Sequence, residues 1–325
     1  MLGTLYNHQE IHLPLEVIHG KKHGPVLLVS ACVHGDEING VEIVSRLMAR
    51  KQLRNIHGTL IIAPIVNVYG FLNHSRYLPD RRDLNRSFPG SEKGSMAGRL
   101  AHLFTNEVLS ACTHCIDLHT GAIHRSNLPQ IRADLDQEGI LKMAEAFQVP
   151  VILDNPTIPN SMRYTAQQRG IPLLLYEAGE ALRFDENAIR AGVKGILGVM
   201  RHLEMLPQPV PRQDQSKHKP LRTPVISRSS YWLRSPQGGV LRTQAQLGQL
   251  VAKGEVLGHV ANPFGESAES IKARTSGIII GMSYLPLVEE GTAIFHIAQF
   301  AEDNVVEAMI ERFHEQLEQL EQGIM

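Results

Sequence analysis

The stretch "SACVHGDEING", residues 30–40, determines how the rest of the chain is interpreted. It places His34 and Glu37 three residues apart, after an apolar run and before a segment with helical spacing. Three residues is close to one helical turn, so both side chains can point at one spot. Imidazole and carboxylate are ligands for first-row metals, zinc above all. Gly35 between them lets the backbone turn without a Cβ clash. Taken alone, His34 and Glu37 are as consistent with a surface pair that binds no metal as with a metal site.

Length and composition limit the class of protein. The chain has 325 residues, which is long for one core, so two domains are expected. Hydrophobic residues make up 43% and charged residues 20%, as in soluble globular proteins. A net charge of -1 gives no reason to expect nucleic acid or an anionic membrane as a partner. No signal peptide or membrane span is visible, and three cysteines fit a cytoplasmic protein.

Strand-like and helix-like segments alternate through the first two thirds of the chain. This pattern predicts an α/β domain over residues 1–205, with a largely parallel sheet covered by helices on both faces. Ligands of such sheets lie at the C-terminal ends of the strands. His34, His119 in "IDLHTG" and Glu177 after "IPLLLY" each lie at or just past a predicted strand end. We therefore expect them on one edge, with His119 as a third metal ligand. Glu177 is a candidate base, and Glu180 competes with it for that role.

The last third of the chain follows a different pattern. Residues 206–224 contain five prolines and polar residues and predict a linker. Residues 225–300 have short apolar runs and frequent glycines, which predict a small all-β domain. Residues 301–325 predict an amphipathic acidic helix.

An irregular loop, "SRYLPDRRDLNRSFPG" at residues 75–90, concentrates arginines around acidic and amide side chains. Such a charged loop is often just solvated. Arginine also offers a bidentate fork for a carboxylate, and a neighbouring asparagine adds a neutral donor. The loop is therefore a candidate carboxylate-binding element.

Four motifs in this order resemble one family: "HGDE" (34–37), "DLNRSFPG" (83–90), "DLHTG" (117–121) and "YEAGE" (176–180). They resemble the succinylglutamate desuccinylase/aspartoacylase family of the zinc carboxypeptidase superfamily, over roughly residues 25–200. The resemblance implies a carboxypeptidase-like mixed sheet and one Zn²⁺ per chain, although a His-Glu-His set also suits manganese or iron.

The resemblance also implies a role for individual residues near the metal. His34, Glu37 and His119 match the zinc ligands. Glu177 matches the general base that activates the water and passes the proton to the leaving amine. Arg76 matches the arginine that polarises the scissile carbonyl and stabilises the oxyanion.

Substrate contacts follow from the same resemblance. Asn85 and Arg86 match the pair that holds a substrate carboxylate, and Arg132 and Arg163 are further candidates. The implied function is hydrolysis of an amide bond in an N-acyl amino acid or related carboxylated small molecule. A zinc carboxypeptidase acting on a peptide end and a catalytically silent carboxylate-binding protein are the alternatives. No feature of the sequence identifies the acyl group, and a homo-oligomer is possible.

Two further segments carry their own interpretations. Residues 238–266 and 271–298 resemble the halves of a biotinyl/lipoyl-type barrel, but Lys272 lacks the neighbours of a modified lysine. A structural, pocket-covering or interface role is therefore expected. Cys112 and Cys115 form a C-x-x-C that would suggest redox chemistry or a second metal site. It follows a helix and precedes a strand, which is the wrong order for a thioredoxin-like site.

Overall fold

Buried runs of Val, Ile and Leu form the centre of one large sheet. The computed structural model describes residues 3–4, 6–208 and 224–300. The strands are β1 Gly3–Thr4, β2 Glu10–Ile11, β3 Glu16–His19, β4 Lys22–Ala31, β5 His57–Ala63, β6 His114–Gly121, β7 Arg125–Ala133, β8 Val151–Asp154, β9 Leu173–Glu180, β10 Val225–Ser227, β11 Ser229–Arg234, β12 Gly239–Thr243, β13 Leu250–Val251, β14 Val256–Ala261, β15 Glu269–Lys272, β16 Gly277–Ser283, β17 Leu287–Val288 and β18 Ala293–Gln299.

The main sheet has twelve strands and is mixed. Its longest path runs β11-β18-β16-β7-β9-β6-β4-β5-β3. The strands β9, β6, β4 and β5 are parallel to one another, as expected from alternating strands and helices. β7 is antiparallel to β9, and β3 is antiparallel to β5. The predicted fold class is confirmed: a mixed sheet with helices on both faces.

Two apolar cores lie on opposite faces of this sheet. The helices are α1 Asn39–Met48, α2 Val68–Leu72, α3 Met96–Glu107, α4 Ile140–Phe147, α5 Met162–Gln168 and α6 Glu186–His202. The buried sides of α1, α4 and α6 form one core, and those of α2, α3 and α5 the other. In the part of the chain that the structure describes, no helix is both long and apolar enough to cross a membrane.

Strands β10–β18, called here the C-terminal strands, occupy residues 225–299. Some form a separate four-stranded sheet in the order β15-β14-β12-β17, whose buried side chains share one core with those of β11, β16 and β18. Others extend the main sheet, because β16 pairs with β7 and β10 pairs with β8. The division into domains and the likeness to a biotinyl/lipoyl barrel remain predictions. Most of the predicted linker, residues 209–223, and the predicted helix at 301–325 lie outside the described residues.

Candidate metal centre

His34 and Glu37 lie in the turn between β4 and α1. The Glu37 backbone N–H donates to the His34 carbonyl at 3.1 Å, which closes the turn and brings the two side chains together. Gly35 avoids a Cβ clash, as predicted, but the clash is with a neighbouring helix and not within the turn. A Cβ at Gly35 would lie 2.0 Å from the backbone of Gly70 in α2, so the close approach of α2 excludes a side chain. The left-handed backbone conformation of this segment occurs at Cys32 instead, with φ of 51°.

His119 completes a group of three donors. It lies on β6, and ligand atoms of His34, Glu37 and His119 are all within 4.8 Å of one another. The Glu37 carboxylate lies between the two rings, with Oε1 2.8 Å from His34 Nδ1 and Oε2 2.8 Å from His119 Nδ1. All three residues are buried. The prediction that they converge is therefore met in the geometry.

Further carboxylates contact the other nitrogen of each ring. His119 Nε2 lies 2.6 Å from Asp117, whose second oxygen accepts a hydrogen bond from Ser30. His34 Nε2 lies 3.1 Å from Asp83. Metal-binding histidines commonly have such a carboxylate partner, which fixes the ring and its tautomer. The role of Asp83 was not anticipated from sequence.

The charges of this group suit a cation. Burial raises the pKa of Glu37, but the imidazoles of His34 and His119 lower it further, so the carboxylate stays ionised. Burial lowers the pKa of His119, yet Asp117 and Glu37 raise it well above its usual value. Two imidazoles and one carboxylate, buried and surrounded by further carboxylates, match the donor set of a catalytic zinc site. The residues therefore fit a metal ion.

A pocket of about 170 Å³ opens beside these donors. We call it the central pocket. Its lining includes every predicted site residue except the buried Glu37. The lining residues are His34, Arg76, Asn85, Arg86, His119, Arg132, Asn155, Ile158, Ser161, Arg163, Leu175 and Glu177.

Glu177 lies on β9, directly opposite His119 on β6. Its Oε2 accepts a hydrogen bond of 2.8 Å from Asn127 Nδ2, and its Oε1 lies 3.7 Å from Arg132. The competing residue Glu180 points elsewhere, because it accepts a hydrogen bond from the His124 backbone. Sequence analysis did not find Asn127, although it named Arg132 of the same strand as a candidate for substrate contact.

The arginines of the pocket have different partners. Arg76 donates to Glu37 and to Asp83, each at 3.1 Å. Arg86 donates to the Asn85 carbonyl, and the Asn85 side chain accepts from the Met162 backbone.

Arg163 donates only to neutral acceptors among its hydrogen bonds: the Asn155 carbonyl and side chain and the Pro156 carbonyl. Burial and the nearby Arg132 lower the pKa of Arg163 to about 10, so it remains charged at neutral pH.

The two cysteines of the C-x-x-C do not form a reactive pair. Both are buried free thiols, and Cys112 donates to the Val108 carbonyl. Burial raises the pKa of Cys112 to about 12 and that of Cys115 well above its usual value. A redox site needs an accessible thiolate, and here the thiols stay protonated.

Comparison with known proteins identifies the family. The catalytic-domain profile of succinylglutamate desuccinylase/aspartoacylase matches residues 23–203. The chain belongs to this family. The family consists of hydrolases that release an acyl group, which places the chain among enzymes of the deacylase class.

Individual relatives are distant but cover almost the whole chain. An N-alpha-acetyl-L-2,4-diaminobutyric acid deacetylase of Halomonas elongata is 25% identical over 302 residues, covering 90% of this chain and 87% of that protein. A succinylglutamate desuccinylase/aspartoacylase from Rhodobacter sphaeroides has a TM-score of 0.79 at 25% identity, covering 92% of this chain and 93% of that one. The product-bound ectoine utilization protein EutE (DoeB) from Ruegeria pomeroyi has a TM-score of 0.80 at 24% identity, with the same coverage.

Proposed function

We propose that the chain is a zinc-dependent amidohydrolase that removes the acyl group from an N-acyl amino acid or a related carboxylated small molecule. One observation carries this proposal. The donors His34, Glu37 and His119, the carboxylate of Glu177 and a set of arginines surround a single pocket. A metal site, a base and an anion-binding surface are the three parts that such a reaction needs.

The metal site and the base have complementary roles. His34, Glu37 and His119 would hold the ion, which supplies Lewis acidity and lowers the pKa of a water. Glu177 takes the proton of the attacking water and passes it to the nitrogen of the leaving amine. Its position opposite His119 in the next strand supports this role. Arg76, which borders the pocket, stabilises the negative charge that develops on the carbonyl oxygen.

The size and charge of the pocket favour a small anionic substrate. A volume of about 170 Å³ lies below the ~300–1,000 Å³ typical of sites for drug-sized ligands, which favours an acylated amino acid over a peptide end. Asn85 and Arg86 hold the substrate carboxylate. Arg132 and Arg163 add positive charge farther along the lining. The relative from Halomonas elongata, named for its deacetylation of an N-acetyl amino acid, supports this substrate class.

A metal analysis combined with a hydrolysis panel tests the proposal. Purified wild type, His119→Ala and His114→Ala would be assayed on N-acetyl-, N-succinyl- and N-formyl-amino acids and on short peptides. His114 is the matched control, because it lies on the same strand as His119 but outside the central pocket. We expect about one zinc per chain in wild type and His114→Ala, loss of zinc in His119→Ala, and free amine released from one class of acylated amino acid.

Other outcomes would contradict the proposal in different ways. Cleavage of peptides alone would indicate a carboxypeptidase. Stoichiometric metal with ligand binding but no turnover would indicate a silent carboxylate-binding protein. Absence of metal from wild type would refute the metal centre itself.

A further inference from the structure

The carboxylate of Glu177 is held by two side chains of one strand, β7. Asn127 donates to Oε2 at 2.8 Å, whereas Arg132 lies 3.7 Å from Oε1, beyond normal hydrogen-bond length. Asn127 is 7% exposed, so its amide is held inside the protein. The single close hydrogen bond to Glu177 among the described side chains is therefore the one from Asn127.

An irregularity in β7 makes this contact possible. Asn127 pairs with Gly179 and Gln130 pairs with Glu177, so three steps along β7 oppose two steps along β9. In a regular strand, residues 127 and 130 would point to opposite faces of the sheet. The extra residue at Leu128–Pro129 is a bulge that brings residues 127 and 130 back to the same face of the sheet. The Asn127 side chain therefore reaches the face that carries Glu177. Proline suits this position because it has no N–H to offer the ladder.

The C-terminal strands cover the outer edge of β7 at this point. Gly281 of β16 pairs with Asn127, and the Gln130 side chain donates to the Ile280 carbonyl of the same strand. A Cβ added at Gly281 would lie 3.0 Å from Asn127 Oδ1. Glycine at 281 therefore leaves the room in which the Asn127 amide turns toward Glu177.

We propose that Asn127 is a positioning residue for Glu177, and that β16 of the C-terminal strands holds Asn127 in place. The proposal rests on the proposed function, in which Glu177 is the base. The amide N–H fixes one carboxylate oxygen, which leaves the other oxygen to take the proton. The C-terminal strands thus contribute to the reaction through the wall of the pocket.

The first test replaces Asn127 in two backgrounds. Asn127→Asp keeps the shape but replaces the donor with a carboxylate, and Asn127→Ala removes the group. Each would be made in wild type and in Glu177→Gln, with kcat, KM and metal content measured. In wild type we expect kcat to fall roughly 10–100-fold, the range for a lost hydrogen bond to a charged group, with KM and metal unchanged. In Glu177→Gln we expect no further fall, because Asn127 acts through the base.

A second variant, at Gly281, tests the same contact if the Asn127 variants fail to fold. Gly281→Ala should lower kcat several-fold by displacing the Asn127 amide. Ser283→Ala, on the same strand but paired with Arg125, should leave kcat unchanged.

The results separate this inference from the proposed function. Full turnover in Glu177→Gln would overturn both. A large loss in Glu177→Gln sustains the base, and three results would then overturn the inference alone. The first is a normal kcat in Asn127→Asp. The second is a fall in kcat on replacing Asn127 that is equally large in wild type and in Glu177→Gln. The third is a kcat of Gly281→Ala that equals the kcat of Ser283→Ala.

Discussion

The two ends of the central pocket differ in how their charges are paired. At the metal end, formed by His34, Glu37 and His119, each ring nitrogen lies within 3.1 Å of a carboxylate oxygen. At the arginine end, formed by Arg86, Arg132 and Arg163, the hydrogen bonds of Arg86 and Arg163 go to neutral acceptors. The buried Nε of Arg132 has no hydrogen-bond partner among the described residues.

This difference indicates what each end binds. Carboxylates gathered in a buried site are costly unless a cation neutralises them, so the metal end is arranged for positive charge. Guanidinium groups that are held in place by neutral acceptors keep their charge for a ligand, so the arginine end is arranged for an anion. Glu177 adjoins both ends, because it lies opposite His119 in the next strand and 3.7 Å from Arg132. Its hydrogen bond comes from the neutral amide of Asn127, which suits a group that moves a proton.

The largest expected effect comes from this middle position. Glu177→Gln should lower kcat roughly 10²–10⁴-fold, the usual contribution of a general base, while metal content stays near wild type. Glu180→Gln is the matched control, since Glu180 lies on the same strand but points away from the pocket and should retain turnover. Steady-state kinetics with metal analysis would check this. Equal losses in both variants would mean that the strand, and not the base, had been damaged.

The metal end should be sensitive to its outer carboxylates. Asp117→Asn should weaken metal affinity roughly 10–100-fold, because the amide no longer orients and polarises His119. Ser30→Ala removes only the hydrogen bond to the far oxygen of Asp117 and should have a smaller effect. Competition with a chromophoric chelator would measure both affinities. Affinity unchanged in Asp117→Asn would argue against His119 as a ligand.

The arginine end should affect substrate binding more than turnover. Arg86→Met should raise KM about tenfold for a carboxylated substrate, a moderate value because Arg86 is exposed. Arg82→Met, also exposed in the same loop but outside the pocket lining, should leave KM unchanged. Progress curves at several substrate concentrations would separate KM from kcat. A fall in kcat alone would assign Arg86 to the transition state instead.

The metal end could be predicted from local features of the sequence. His34, His119 and Glu177 follow apolar runs that are typical of buried parallel strands, and the ends of such strands meet at one edge. Their position is therefore encoded locally. In the structure His119 and Glu177 lie inside their strands, shortly before the C-terminal ends. The two side chains still meet, because the strands pair His119 directly with Glu177.

The partners of Glu177 depend on pairing that short sequence windows do not contain. β7 runs antiparallel to β9 and carries a bulge, and its outer neighbour β16 comes from residues about 150 positions later. Neither the bulge nor the long-range pairing leaves a periodic pattern, so Asn127 could not be found. The lone clue was Pro129, which marks an irregular strand position once the strand itself is known. Asp83 was missed for a similar reason, since nothing local indicates that its loop reaches His34.

His296, on β18, reports on the charge of the arginine end and should show the smallest effect. It stacks on Trp232 with ring centroids 4.7 Å apart, and burial and the positive charge of Arg132 lower its pKa to about 3. Below pH 6.5, His296 therefore binds a proton in the unfolded chain, whereas in the folded chain it stays neutral down to about pH 3. The free energy of unfolding should fall across that window as pH decreases.

The loss is at most about 1.4 kcal/mol for one pH unit below 6.5, because one unit of pKa shift corresponds to that energy. Urea unfolding of wild type and His296→Phe at pH 7.5 and 5.5 would measure it, and the variant should lose about 1 kcal/mol less. Arg132→Met should also lose less unfolding free energy than wild type between pH 7.5 and 5.5, but by a smaller amount than His296→Phe. It removes the nearby cation, whereas the burial of His296 remains. If Arg132→Met changed nothing, burial alone would explain the pKa of His296, and the positive field of the arginine end would be weaker than its three guanidinium groups suggest.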